Sequence, residues 1–291
     1  MIKSRRVALL EGILAGFLFS TAAIFIRLLP EMNVLWIVFW RLIIACATLA
    51  AIILILRKTL RTNFAWRNFK DFSILGILLG SHFILFVLAV RNTSLLNATV
   101  LVNTTPIFSM FISTFIYSTK PSKLALAGMI LSFIGAGVIT MGDIRSGVGG
   151  NIMGDMAAIL AAVAEGFYLN YGRVRRRRLP LLSTMFGIYF AAVITVVGGI
   201  VVTGSSFDSI ENLGLLLPLV GLGILPTAAA HTLFFSSLSN LKSYETATMA
   251  LLEPLGATLF GVVIFSEVPL PIFIVGSILV LVGLFVVASG D

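Results

Sequence analysis

The spacing of apolar runs constrains this chain more than any other feature. From Val7 to Ser289, stretches of about 20 mostly apolar residues follow one another, separated by polar segments of about a dozen residues at most. A helix of about 20 residues crosses a hydrocarbon core of about 30 Å. Inside lipid the backbone must satisfy its own N–H and C=O groups, which such runs do as helices. Of the 291 residues, 59% are hydrophobic and 11% charged. Nothing is left over for a soluble domain. The expected class is an all-α polytopic membrane protein.

Transmembrane helices are expected at 7–29, 34–56, 71–91, 95–117, 122–141, 152–172, 181–203, 213–237, 243–265 and 270–289, with Pro218 and Pro226 bending the eighth. The opening "MIKSRR" followed by an apolar run resembles a signal peptide. The run is long for one and lacks a small-x-small cleavage site after it, so it reads as a retained first helix. Ten spans put both termini on one side. Sixteen of the 20 basic residues fall on that side: Lys3, Arg5, Arg6, Arg57, Lys58, Arg61, Arg67, Lys70, Lys120, Lys123, Arg173, Arg175 to Arg178 and Lys242. Arg27, Arg91 and Arg145 fall on the other, and Arg41 lies within the second span. The excess places the rich side, and both termini, in the cytoplasm of a plasma-membrane protein. The loop with Asp208 and Glu211 then faces outward.

The net charge of +8 is therefore topological and predicts no nucleic-acid partner. "RVRRRR" (Arg173–Arg178) has the composition to meet RNA or acidic headgroups, but in a short loop between spans it reads as a cytoplasmic anchor. Cys46 is the single cysteine; it forms no intrachain disulfide and reads as a small packing residue.

The chain repeats itself. Adding 148 takes Pro106 to Pro254, Pro121 to Pro269, Gly128 to Gly276, Gly135 to Gly283 and Gly142–Asp143 to Gly290–Asp291. Adding 149 takes His82 to His231, the chain's two histidines, and also Phe86 to Phe235 and Ser94 to Ser243. The organisation is thus two five-helix repeats, 1–143 and 152–291. Five is odd, so the second repeat enters from the opposite face and the two are inverted. Inverted repeats suit a secondary transporter, whose halves exchange inward- and outward-open forms around a midplane site.

These residues resemble the drug/metabolite transporter superfamily of EamA type. The resemblance covers nearly the whole chain. It rests on the 5+5 plan, "FWRLIIA" (Phe39–Ala45), "LVNTTPIFSMFIS" (Leu101–Ser113), its partner "LLEPLGATLFGVVIFSE" ending in Glu267, and the Gly-rich fifth and tenth helices. It implies a central cavity lined by helices 1, 3, 4, 6, 8 and 9, with helices 5 and 10 as support. Bacterial and archaeal members export amino acids and other metabolites, and the direction of transport is taken from that resemblance alone.

Polar groups inside lipid are costly, so they face a cavity or a partner. In "AEGFYLNYG" the leading candidate for a substrate amine or a proton is Glu165, with Tyr168 three residues on and Asn170 five on, against a structural hydrogen bond to a neighbouring helix. Asn103, Thr104 and Thr105 precede Pro106, which leaves the carbonyl of Val102 without its usual N–H, so that the carbonyl and the three side chains can face a cavity; the alternative is a kink satisfied by threonines. His82 and His231 are candidates for a proton or a carboxylate. Glu253 abuts Pro254 at mid-span and is read either as a solute or proton ligand or as a structural group. Phe86, Phe235 and Tyr168 would form aromatic walls. Thr21 and Ser20 would line the cavity or pack, as would Gly12 and Gly16. Pro106 and Pro254 are the candidate hinges. Trp36 and Trp40 read as interfacial belt residues, and Arg41 as one member of a structural ion pair in preference to a substrate contact.

No metal-ligand spacing, cofactor motif, G-x-S-x-G, H-E-x-x-H or Walker A sequence is present, so neither an enzyme nor a metal site is expected. The partners expected are the lipid bilayer, a small organic solute and a coupling proton. Two rival readings remain: a multidrug or cation exporter of the same superfamily, and a non-transporting membrane scaffold.

Overall fold

A computed structural model describes residues 4–57, 67–93, 95–141, 151–206, 213–265 and 271–289. Among them every regular element is a helix. The expectations that fall on Asp143, Arg145, Asp208, Glu211, Glu267, Pro269 and the C-terminal Gly290–Asp291 lie outside the described residues.

Among the described residues, eight stretches are long and apolar enough to cross a membrane: Arg5–Arg27, Val34–Ile55, Phe69–Asn92, Ala98–Phe115, Ile152–Arg176, Leu181–Thr203, Leu216–Ser237 and Ile272–Ser289. The chain is a multi-pass membrane protein. Its surface is apolar, with Leu54, Phe115, Val202 and Phe285 exposed, while Arg41, His82, Asn103, Glu165, His231 and Glu253 are buried. That inverts the soluble pattern, as lipid solvation requires. Two further apolar helical stretches fall short of the eight. One is Lys123–Met141; the other is the broken run Ser243–Met249, Ala250–Leu252 and Glu253–Phe265.

Four of the expected spans are interrupted, and the interruptions position the site. The first breaks at Ser20 into Arg5–Phe19 and Thr21–Arg27. The fourth breaks at Asn103–Thr104 into Leu95–Val102 and Thr105–Phe115, with Pro106 in the first turn of the second piece. The ninth passes through a 3₁₀ turn at Ala250–Leu252 before Glu253–Phe265. The eighth widens into a π-helix over Gly223–His231, with Pro226 inside it, between Leu216–Leu222 and Thr232–Ser237. Proline explains three of these breaks, because it removes an N–H and crowds the preceding turn. The threonine beside it repairs the loss in two of them. Thr105 Oγ1 donates to Val102 O (2.8 Å) and Thr227 Oγ1 donates to Leu222 O (2.6 Å). Each carbonyl is four residues before its proline.

Packing exchanges between the halves. Phe69–Asn92 packs on Ile152–Arg176 and Leu181–Thr203, and the eighth run packs correspondingly on Arg5–Phe19 and Val34–Ile55. Thr105–Phe115 lies along Ser243–Met249, and Lys123–Met141 along Ile272–Ser289. This last pair meets at glycines: a Cβ on Gly128 would stand 2.6 Å from Gly283 O, and one on Gly135 2.7 Å from Gly276 O. Only a hydrogen side chain allows that backbone approach, the usual device of helix pairs in lipid.

Both ends of the bundle are tied. At the end carrying Arg5, its Nη2 donates to Glu245 Oε1 (2.8 Å), while Arg175 Nε and Tyr171 Oη donate to Asp71 Oδ1 (3.0 and 2.5 Å). Arg173, Arg176 and Arg177 of the basic run donate to the carbonyls of Leu241, Leu179 and Ser239. At the opposite end Trp36 Nε1 donates to Ser206 O (2.7 Å), Thr93 Oγ1 to Asp155 Oδ1 (2.6 Å), and Arg91 to the Met32 carbonyl.

Candidate functional site

The interrupted helices surround one cavity lined by Phe19, Ala22, Arg41, His82, Phe83, Phe86, Val102, Asn103, Thr105, Glu165, His231, Ala250 and Glu253. The volume open to the centre of a water molecule is about 30 Å³. That is room for a water or two, and well below the ~300 Å³ at which pockets for organic ligands begin.

Six sequence candidates meet here: Glu165, His82, Asn103, Glu253, His231 and Phe86. His82 Nδ1 lies 3.0 Å from Ala161 O. A carbonyl only accepts, so Nδ1 carries the hydrogen in this contact. The ring stacks near-parallel on Phe86 at 6.1 Å, and its Nδ1 is 3.9 Å from Glu165 Oε2. The same carboxylate oxygen is 3.3 Å from Thr105 Oγ1. Thr105 has one hydroxyl hydrogen for both Glu165 and Val102 O, and the Val102 contact is the shorter. His231 stands in a cage of Phe19, Phe83 and Phe234, 6.1 Å from His82 between ring centroids, and its Nδ1 has no hydrogen-bond partner. The Asn103 side chain lies beside the Glu253 carboxylate. Glu253 opens the helix Glu253–Phe265, where a carboxylate complements the positive end of the helix dipole.

Three candidates stand outside this lining. Tyr168 was expected on the face of Glu165, but three residues leave about 60° of rotation. That turns it onto the Leu181–Thr203 helix, where its Oη contacts Met185 Sδ (3.9 Å) and its ring packs on Phe235 (5.9 Å). Thr104 Oγ1 donates to Leu101 O (2.5 Å) and Thr21 Oγ1 to Leu18 O (2.7 Å). Both threonines mend backbone at a break. The aromatic wall consists of Phe19, Phe83 and Phe86, and Phe235 is part of the surrounding core. Gly16 is a packing residue, with the Met249 carbonyl against its Cα. Asn170 is a structural knot: its Nδ2 donates to Ser109 O (3.0 Å), Ser109 Oγ (3.1 Å) and Gly166 O (2.9 Å), and its Oδ1 accepts from Ser243 Oγ (2.6 Å). Pro106 and Pro254 each sit in the first turn after a break that borders the cavity.

Arg41 reverses an expectation. It forms no ion pair: among the described residues no carboxylate oxygen lies within 4.0 Å of it. Instead Nε donates to Thr227 Oγ1 (3.0 Å) and the guanidinium lies 3.9 Å over the Phe83 ring. Two signals could have found it. The second span holds no acidic residue to pair with Arg41, and Thr227 follows Pro226 in a span expected to bend.

Comparison with known proteins agrees with this architecture. The model of the EamA-like transporter family matches twice, over residues 6–141 and 152–289. An uncharacterized transporter of Archaeoglobus fulgidus is 28% identical, over 82% of this chain and 83% of its own length. The uncharacterized transporter YwfM of Bacillus subtilis is 22% identical, over 95% and 92%. A solved crystal structure aligns with a TM-score of 0.80 at 21% identity, covering 97% of this chain and 96% of its own, which speaks to the fold alone. A chain of interrupted apolar helices around a buried polar cavity, matched twice along its length by one family model, belongs to the EamA-like transporter family.

Proposed function

We propose that this protein is a secondary active transporter of the plasma membrane that moves amino acids or related small metabolites by alternating access, in the export direction. Ten helices would form two inverted five-helix repeats with both termini in the cytoplasm. The two short helical stretches supply the fifth and ninth spans.

The observation that carries this reading is the composition of the cavity at the seam of the halves. Residues before 143 contribute His82, Asn103 and Thr105; residues after 152 contribute Glu165, His231 and Glu253. A solute bound there touches both halves and can be passed from one opening to the other as they rock. Both ends are tied and the cavity is small, so admitting an amino acid requires one end to part. Glu165 and Glu253 offer carboxylates for an amine. Glu165, beside His82, is the candidate carrier of a coupling proton.

The test is counterflow of amino acids in proteoliposomes. Wild-type protein is expected to carry at least one of the twenty standard amino acids and to respond to a proton gradient. Glu165→Gln is expected to lose tenfold or more of that flux while keeping its elution profile in detergent. Wild-type, proton-dependent flux in the mutant removes Glu165 from the mechanism. Transport of cationic dyes without amino acids favours the multidrug reading, for which the paired carboxylates are the specific support. No flux of any solute favours a scaffold.

A further inference from the structure

The cavity holds a cation that no carboxylate among the described residues pairs with. Arg41 is 1% exposed and in mid-bundle, yet its Nη1 has no hydrogen-bond partner. A buried guanidinium cannot shed its charge, and leaving it unpaired costs several kcal/mol. The carboxylates that share the cavity face other partners: Glu165 faces Thr105 and His82, and Glu253 faces Asn103.

The other side of the guanidinium is fixed with care. Pro226 frees the Leu222 carbonyl, Thr227 Oγ1 caps it, and that hydroxyl oxygen accepts Arg41 Nε. Tyr189 Oη in turn holds the Thr227 carbonyl (2.7 Å). Phe83 covers one guanidinium face. An arginine kept only for packing would have its remaining N–H groups spent on carbonyls or a carboxylate. Here the aromatic ring and the threonine orient the fork and leave an edge open, which is the arrangement that recognises a carboxylate. Asn103 lines the same cavity from another helix, with its side chain toward Glu253.

We propose that Arg41 is the anion anchor of the cavity, so that the solute carries a carboxylate as well as an amine. This rests on the transport reading above and narrows it: cation on one side and carboxylates on the other select a zwitterion and disfavour amines that lack an acid group.

The experiment is thermal unfolding of the purified protein in detergent with two mixtures. One contains the twenty standard amino acids and the other the corresponding amino-acid amides, in which the carboxylate is neutral. The same mixtures then compete in the counterflow assay. Wild type is expected to be stabilised by the acids at concentrations at least tenfold below those needed for the amides. Arg41→Gln is expected to bring that ratio to near one, and Arg41→Lys to retain part of it. Thr227→Val, which keeps the guanidinium but removes its tether, is expected to lower the ratio severalfold and serves if Arg41→Gln does not fold. Equal response of wild type to acids and amides, or an undiminished ratio in Arg41→Gln and Thr227→Val, overturns the anchor and leaves transport standing. Failure of both mixtures in both assays overturns the amino-acid reading itself, and the anchor with it.

Discussion

His82 and His231 occupy matching places in the two halves, 149 residues apart, and the fold brings their rings within 6.1 Å. Their surroundings differ. His82 has a carbonyl for Nδ1, a carboxylate at 3.9 Å and one stacked ring. His231 sits among three phenylalanines with Nδ1 unpartnered. The residues before the matched prolines diverge in the same way. Thr105 mends its own helix, whereas Glu253 places a carboxylate in the cavity. The first half also supplies Arg41. Duplication set where side chains converge, and substitution set what each half offers there. The site is polarised, with a cation from one half and carboxylates from the other.

Substitutions can break or sharpen that contrast. The largest effect is expected at the diverged pair: Glu253→Gln should cut amino-acid counterflow tenfold or more, while Thr105→Val should cost threefold or less. Equal losses would mean the two positions still share one role. Thr105→Val should also lower stability by about 1 kcal/mol, because Val102 O loses its donor, as read from unfolding in detergent.

The proline pair comes next. Pro106→Ala and Pro254→Ala should each slow exchange between openings severalfold with little change in binding. Reactivity of cysteines introduced at Trp36 and at Tyr171, one at each tied end, would report it. Unchanged reactivity at both ends would remove the hinge role.

The smallest effect separates the histidines. His231→Phe extends an aromatic cage and should change stability by about 1 kcal/mol or less, without loss of folding. His82→Phe gives up the Ala161 contact and should destabilise by about 1 kcal/mol. It should also alter the proton dependence of flux, which His231→Phe should leave in place.

The chain's organisation was legible before its fold. Apolar run length marks spans because lipid tolerates little else, and the eight observed spans lie where the runs predict them. The broken fourth, eighth and ninth helices were announced by Pro106, Pro226 and Pro254. Glu165, His82, Asn103, Glu253 and His231 stood out because buried polarity in lipid is expensive, and all five line the cavity. Tyr168 and Thr21 stand outside the lining for one reason: a polar group on an apolar helix has two uses, and spacing along one helix does not say which neighbour it meets.

Sequence alone thus determined the class, the doubling and the short list of polar residues, since each follows from local pattern and the cost of polarity in a bilayer. The tertiary structure decided which of those residues share a space and which mend the backbone. It also showed that Arg41, read as half of an ion pair, has no carboxylate beside it among the described residues. Such facts depend on distances between residues as far apart as Arg41 and Thr227, which no local pattern encodes.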